Sequence, residues 1–150
     1  MLEAHYTPNR TTVLAFDFGL MRIGVAVGDV SIGVAHPLET IHGDGNEQRF
    51  SAIAALLKEW QPGLLVVGLP RHMDGTEHEM TLRCRRFSRQ LEGRFNLPVT
   101  LVDERLTSEI ASQDLRQAGI AGRKQKVMLD QIAAQIILQS YLDENMGTSK

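Results

Sequence analysis

The apolar run LLVVGLP at residues 64–70 constrains this chain more than any other feature of its sequence. A strand with water on one face alternates apolar and polar side chains, so an unbroken apolar run ending in Gly and Pro marks a strand covered on both faces. Such strands lie in parallel sheets, whose neighbours are joined by long crossovers, commonly helices. Helical spacing precedes the run: Phe50, Ile53, Ala54, Leu57 and Trp60 recur between Asn46 and Gln61, with Asn46 as a cap and Pro62-Gly63 as a stop. It returns afterwards through Met80, Cys84, Phe87 and Leu91, between Glu77 and Phe95, and stops near Asn96-Leu97-Pro98. PVTLVDE at 98–104 then reads as a second buried strand.

The chain opens differently. TTVLAFDF (11–18), IGVAVGD (23–29) and GVAHPLET (33–40) are short β-like runs separated by GLMR and VSI, the pattern of two consecutive hairpins. At the far end, Thr107 or Ser108 caps a predicted helix that runs to Gln117 and ends at Gly119, followed by a glycine-bearing basic loop. A last helix, from about Val127 to Asp143, carries Ile132, Ala133, Ile136, Ile137 and Tyr141 on one stripe. The order β-β-β-α-β-α-β-α-α predicts an α/β fold: a mixed five-stranded sheet, an antiparallel hairpin unit plus two parallel strands, covered by helices. Right-handed crossovers place both later strands beside the first. The length suits one domain over residues 1–150, with an ordered core at about 11–143.

Bulk properties narrow the function. Apolar residues make up 43% and charged residues 23%, a globular rather than a disordered composition. No apolar run is long enough to span a bilayer and residues 1–12 lack the core of a secretory signal, so the expected compartment is the cytoplasm, with no membrane partner. Cys84 has no second cysteine to pair with and reads as a small helical residue. The formal net charge of -2 argues against a generally basic nucleic-acid binder, yet positive charge clusters in RCRRFSR (83–89) and GRKQK (122–126).

Three acids stand where acids are unexpected. Asp17 ends the first strand inside an apolar run, the pair Asp103-Glu104 ends the last strand, and Asp130 lies in the first turn of the predicted final helix. If the two strands are neighbours and the helix packs on them, all three converge at one sheet edge. Clustered carboxylates repel unless a cation sits between them, and oxygen-only ligands suit Mg²⁺ or Mn²⁺ rather than zinc. Two such ions can hydrolyse a phosphodiester. Each acid also has a plain reading: Asp17 as a turn residue, Asp103 or Glu104 as partners of Arg105 or a helix, Asp130 as a helix-start acid.

FDFGLMRIGVAVGD, VVGLPRHMDGT, LVDERLTS and DQIAAQIILQSYL resemble, in order and spacing, the four signature segments of the YqgF family, over roughly residues 11–143. These are Holliday-junction-resolvase-like proteins of the ribonuclease H-like superfamily, also regarded as candidate nucleases for the 5′ end of pre-16S rRNA. The resemblance implies that Asp17 is the first-strand aspartate that bridges the metals. Glu104 corresponds to the second ligand, with Asp103 as fallback, and Asp130 to the acid of the C-terminal helix. It implies a two-metal endonuclease, using Mg²⁺ or Mn²⁺ and no organic cofactor, that leaves a 5′-phosphate and a 3′-hydroxyl. The partner is nucleic acid, either precursor ribosomal RNA, with ribosomal particles in reach, or branched DNA. Such a protein works as a monomer or a homodimer.

Other residues take roles around that centre. Gly19 and Gly24 flank the turn after Asp17, where missing side chains admit a sugar-phosphate backbone. Arg22 between them can hold a phosphate, as can Arg71 at the end of the buried strand, Arg105 after the acid pair, and Arg123, Lys124 and Lys126 ahead of Asp130. His72 shares the loop of Arg71, and Asp74-Gly75 reads as a turn. The five histidines show no metal-ligand spacing and read as surface or loop residues. One Trp and two Tyr offer little aromatic surface for stacking unpaired bases, so recognition leans on backbone shape and charge. Two rival readings are a non-catalytic RNA- or protein-binding scaffold and an ATP-binding protein of the actin and sugar-kinase type. The latter needs a second domain and phosphate loop for which this chain has no room.

Overall fold

The computed structural model describes residues 10–71, 74–104 and 122–147, and within the last segment the side chains of 128–145. Strands β1 (Thr12–Phe18), β2 (Arg22–Asp29) and β3 (Val34–His42) form the antiparallel meander, with α1 (Asn46–Trp60) following. Next come β4 (Leu64–Leu69), α2 (Glu79–Phe95), β5 (Val99–Asp103) and a long helix, α3 (Gly122–Gly147). The sheet order is β3-β2-β1-β4-β5, with β1–β2 and β2–β3 antiparallel, β1–β4 and β4–β5 parallel. This is the expected mixed five-stranded sheet with one correction. Only β4 lies beside β1; β2 already occupies the other flank, so β5 is added outside β4.

Strand parity divides the core in two. Leu14, Phe16, Val25, Leu65 and Val67 pack against Ile53 and Leu56 of α1 and Phe87 and Leu91 of α2. Val13, Ala15, Ala26 and Val66 meet Ala134, Ile137, Leu138 and Leu142 of α3. The buried stripe of α3 therefore lies about one position C-terminal to the predicted one: Ala133, Ala134, Ile137, Leu138 and Leu142 are buried, whereas Ile132, Ile136 and Tyr141 are half-buried. Ala133 and Ala134 let the N-terminal part of this stripe approach the small residues of the sheet, while Ile137, Leu138 and Leu142 fill the space beyond.

Three glutamines one turn apart fix α3 along the edge strand. Gln131 Nε2 donates to Thr40 Oγ1, Gln135 Nε2 to the Ala35 carbonyl, and Gln139 both accepts from the Ala35 N–H and donates to the Gly33 carbonyl, all at 2.9–3.2 Å. The helix begins at Gly122, so GRKQK is helical rather than a loop, and Asp130 lies more than two turns inside rather than in the first turn. Two other helix starts also differ from expectation. Gly45 in an extended conformation, not Asn46, precedes α1 and provides no side-chain cap, and α2 starts at Glu79 behind a capping histidine, His78. The helix predicted from Thr107 or Ser108 to Gln117 lies outside the described residues, as do Arg105 and His72.

Candidate functional site at the strand ends

Asp17 shares the parity of Val13 and Ala15, so its side chain faces α3. Its neighbour across the β1–β2 ladder is Gly24, and one step beyond the Phe16–Val67 pair it comes level with Gly68 of β4. Glycine on either side leaves the space that Asp17 needs, and other parts of the chain fill it. A Cβ at Gly24 would stand 1.9 Å from the Asp130 backbone carbonyl oxygen, so α3 lies with its main chain against β2 at this point. A Cβ at Gly68 would stand 2.8 Å from the Glu104 carboxyl carbon and 2.4 Å from Ile137 Cδ1. Gly24 is therefore a helix-packing glycine, not an opening for a sugar-phosphate backbone. Gly19 serves the turn, where a Cβ would meet the Arg22 carbonyl at 2.6 Å.

Because β4 separates β1 from β5, Asp17 and Glu104 do not come from neighbouring strands. The Glu104 side chain crosses above Gly68 and its carboxyl hydrogen-bonds that of Asp17. Burial, with the charge of Asp130 adding to it, raises the Asp17 carboxyl to about 7. Burial and then the Asp17 charge raise Glu104 to about 9. Both shifts favour a shared proton over two adjacent charges, one way in which a half-buried carboxylate pair is tolerated. Asp103 faces the other way by strand parity and is exposed, with its Oδ2 3.8 Å from Arg71 Nη1.

Asp130 is near enough to raise Asp17, yet its carboxylate is engaged elsewhere: Arg22 Nε donates to Oδ2 at 2.5 Å. Arg22, read as a phosphate holder, is in this arrangement the partner of the third acid. Among the described residues, no three His, Cys, Asp or Glu side chains are grouped closely enough to hold one ion. The donor chemistry of Asp17 and Glu104 fits a hard divalent cation, oxygen ligands in a half-buried pair whose protons such an ion would replace. Asp130 fits only if Arg22 lets it turn.

Arg71 lines the same cleft, with Asp17, Phe18, Pro70, His78, Met80 and Glu104. Its Nε is buried without a hydrogen-bond partner among the described residues, and its terminal nitrogens stand 3.8 Å from Glu77 and Asp103, beyond hydrogen-bond length. A buried unpaired guanidinium nitrogen is costly, and a phosphate oxygen at the cleft would satisfy it. Arg123, Lys124 and Lys126 fall in α3 ahead of Asp130, outside the described side chains.

Sequence reading missed two members of this neighbourhood. His78 is a loop histidine, as read, that also caps α2: its Nδ1 accepts from the Met80 N–H, while the Thr81 hydroxyl accepts from the His78 N–H and donates to the Pro70 carbonyl. That junction ties α2 to the end of β4 and brings His78 to the cleft. Arg49, only 5% exposed, donates from Nη1 to the Leu20 carbonyl and from Nη2 to the Gly19 carbonyl, with its guanidinium 4.9 Å from the centre of the Phe18 ring. It clamps the turn that follows Asp17, and an arginine in a helical apolar stripe gave no signal of this. The plain readings of Cys84 and Asp74 stand. The thiol is buried and pushed up to about 12, and the Asp74 carboxylate accepts from the Thr76 N–H and hydroxyl around Gly75 at φ +92°.

A mixed five-stranded sheet with a half-buried acid at the end of its first strand, a second acid after its last and a third on the covering helix defines a ribonuclease H-like protein of the resolvase type. T. thermophilus RuvC, solved in complex with a Holliday junction substrate, shares this fold with a TM-score of 0.55 at 16% identity over 92% of this chain and 97% of that one. The Fowlpox virus resolvase, solved with substrate Holliday junction DNA, shares it with a TM-score of 0.53 at 12% identity over 89% and 97%.

Residues 11–144 match the family RuvX, described as a Holliday junction resolvase, and the chain belongs to that family. Among its relatives, a protein of Methylobacillus flagellatus is 63% identical over 90% of this chain and 92% of its own length, and carries the name "Putative pre-16S rRNA nuclease". A protein of Nitrosomonas europaea with the same name is 60% identical over 92% and 93%. Among the described residues, no helix is long and apolar enough to cross a membrane.

Proposed function

We propose that this chain is a single-domain, divalent-metal-dependent endonuclease that hydrolyses phosphodiester bonds in structured nucleic acid, and that its substrate is the 5′ end of pre-16S ribosomal RNA. The observation that carries the reading is the meeting of Asp17 and Glu104, half-buried above Gly68 with both carboxyls held above their ordinary range. Such a pair weakens the fold, and a function explains its presence better than packing does. The names of close relatives favour RNA as substrate.

Asp17 and Glu104 would hold Mg²⁺ or Mn²⁺, joined by Asp130 once Arg22 releases it. Such an ion supplies charge neutralisation and Lewis-acid activation at the phosphodiester. The chain's own residues do the rest. Arg71 offers its unpaired Nε to a non-bridging phosphate oxygen. Arg22 keeps Asp130 oriented and, on losing it, is itself available to phosphate. Arg49 holds the turn after Asp17 against α1, so the acid is positioned by a helix on the opposite face of the sheet.

The test is cleavage of a 16S precursor bearing its 5′ extension, with the purified chain and Mg²⁺ or Mn²⁺. Asp17→Asn is expected to abolish cleavage while leaving the circular dichroism spectrum unchanged; a variant that cuts as well as its parent overturns the reading. A four-way DNA junction belongs in the same assay, because the family description favours that substrate as the second reading. Junction cleavage without precursor cleavage would replace RNA by branched DNA.

A further inference from the structure

The basic cluster RCRRFSR splits when α2 folds. Arg85 turns to Glu77, Nη2 to Oε2 at 2.6 Å, whereas Arg83 and Arg86, one turn apart, line a cavity of about 180 Å³ between the start of α1 and the middle of α2. Asn46, Arg49, Gln90 and Phe18 also line it, with two further phenylalanines, Phe50 and Phe87. The lining thus contains three arginines and no acid, in a chain whose net charge is negative. Phe18 is a wall of both this cavity and the cleft of Asp17, Arg71 and Glu104. The two are therefore adjacent at one end of the sheet.

Neighbouring acids leave capacity for an anion. Glu79 occupies Nε and Nη2 of Arg83 along the exposed helix surface, and Arg49 spends Nη1 and Nη2 on carbonyls. Arg86 makes no hydrogen bond or ion pair among the described residues, and its side chain is exposed. Arginines lining a concave pocket walled by phenylalanines match an oxyanion in charge and in donor chemistry. With arginines and two amides but no acid in its lining, the pocket suits phosphate.

We propose that this cavity is a second phosphate-binding site, holding a backbone phosphate of the substrate strand next to the one that enters the acidic cleft. Arg86 and Arg83 supply the contacts, Asn46 and Gln90 the neutral donors, and Phe18 divides the two phosphates. The substrate strand then runs from the acidic cleft across the end of β1 onto α2. The site rests on the nucleic-acid reading above, but its test does not require catalysis.

The experiment measures binding of a fluorescein-labelled RNA duplex with a single-stranded 5′ overhang by fluorescence anisotropy in EDTA, at several salt concentrations. Arg86→Gln is expected to weaken binding several-fold and to flatten the dependence of log K on log salt by about 1, the signature of one lost phosphate contact. Arg86→Gln with Arg83→Gln should flatten it further, and Arg86→Lys should restore most of the slope. Arg89→Gln, an exposed arginine of the same helix outside the cavity, is the control and should leave the slope unchanged. Equal effects of Arg86→Gln and Arg89→Gln, an unchanged slope in the double variant, or no binding by the parent chain each overturn the proposal. If the chain cuts no substrate yet Arg86→Gln alone alters the slope, the pocket stands and the nuclease reading falls; cleavage with unaltered slopes gives the reverse.

Discussion

On the face covered by α1 and α2, β1, β2 and β4 present Leu14, Phe16, Val25, Leu65 and Val67; on the face covered by α3, the same strands present Val13, Ala15, Ala26 and Val66, with Gly24 and Gly28 beside them. The first face interlocks large side chains, including Phe16 and Phe87 edge to face with ring centres 6.0 Å apart. The second lets a helix main chain descend to the sheet. The large face carries most of the apolar burial, and the small face carries the acids. Separating the two tasks means the half-buried carboxylates weaken a layer that is not the main source of stability.

That contrast can be broken from either side. Leu91→Ala, a truncation in the large face where the side chain is fully buried, should cost about 3 kcal/mol in urea unfolding. Its cleavage rate per folded molecule should stay at the parental value. Gly24→Ala adds a single methyl group to the small face, directly against the Asp130 carbonyl, and should cost ~2 kcal/mol through displacement of α3. Here cleavage should fall much further than stability, because Asp130 moves with the helix. A proportional loss of both would show that the two faces are not functionally distinct.

A finer test uses pH. In the folded chain Asp17 and Glu104 hold their protons up to about 7 and about 9, above their values of 3.8 and 4.5 when unfolded. The native state therefore binds more protons than the unfolded state in that interval, and stability falls as pH rises through it. Without divalent cation, the melting temperature should decline between pH 5 and 9, and Asp17→Asn should flatten the decline. Gly68→Ala has the smallest expected effect, ~1 kcal/mol, since the atoms it meets are the movable ends of Ile137 and Glu104. By pushing Glu104 away from Asp17 it should also reduce the pH slope; an unchanged slope would mean that the acids do not depend on contact above Gly68.

How much of this was readable beforehand follows from where the information lies. The short β-like runs around TVLAFDF and the unbroken LLVVGL specify hairpin and buried strand locally, so the five strands were legible in the sequence. The route by which Glu104 reaches Asp17 was not, because it depends on Gly68 in a strand between them, and a glycine in an apolar run has no distinguishing local pattern. The stripe of α3 was placed one residue too early: Ala133 and Ile137 are buried as expected, but Ala134, Leu138 and Leu142 take the places given to Ile132, Ile136 and Tyr141, because the helix is rotated to bring Ala133 and Ala134 against a small sheet face. The start of α3 was missed for a related reason, since GRKQK is too polar to show periodicity. Arg49 illustrates the opposite case, a polar residue whose purpose lies in carbonyls distant in sequence.

The ladder of Gln131, Gln135 and Gln139 has a consequence for where Asp130 can be. The three glutamines together engage Thr40, both backbone groups of Ala35 and the Gly33 carbonyl just before β3, so the helix cannot creep along the strand by fractions of a residue without loosening several bonds at once. A slide by one position would forfeit several hydrogen bonds together, at about 1 kcal/mol each. The place of Asp130 is therefore set from the edge of the sheet opposite to Glu104, which makes β3, a strand that supplies none of the three site acids, the ruler against which the third carboxylate is set.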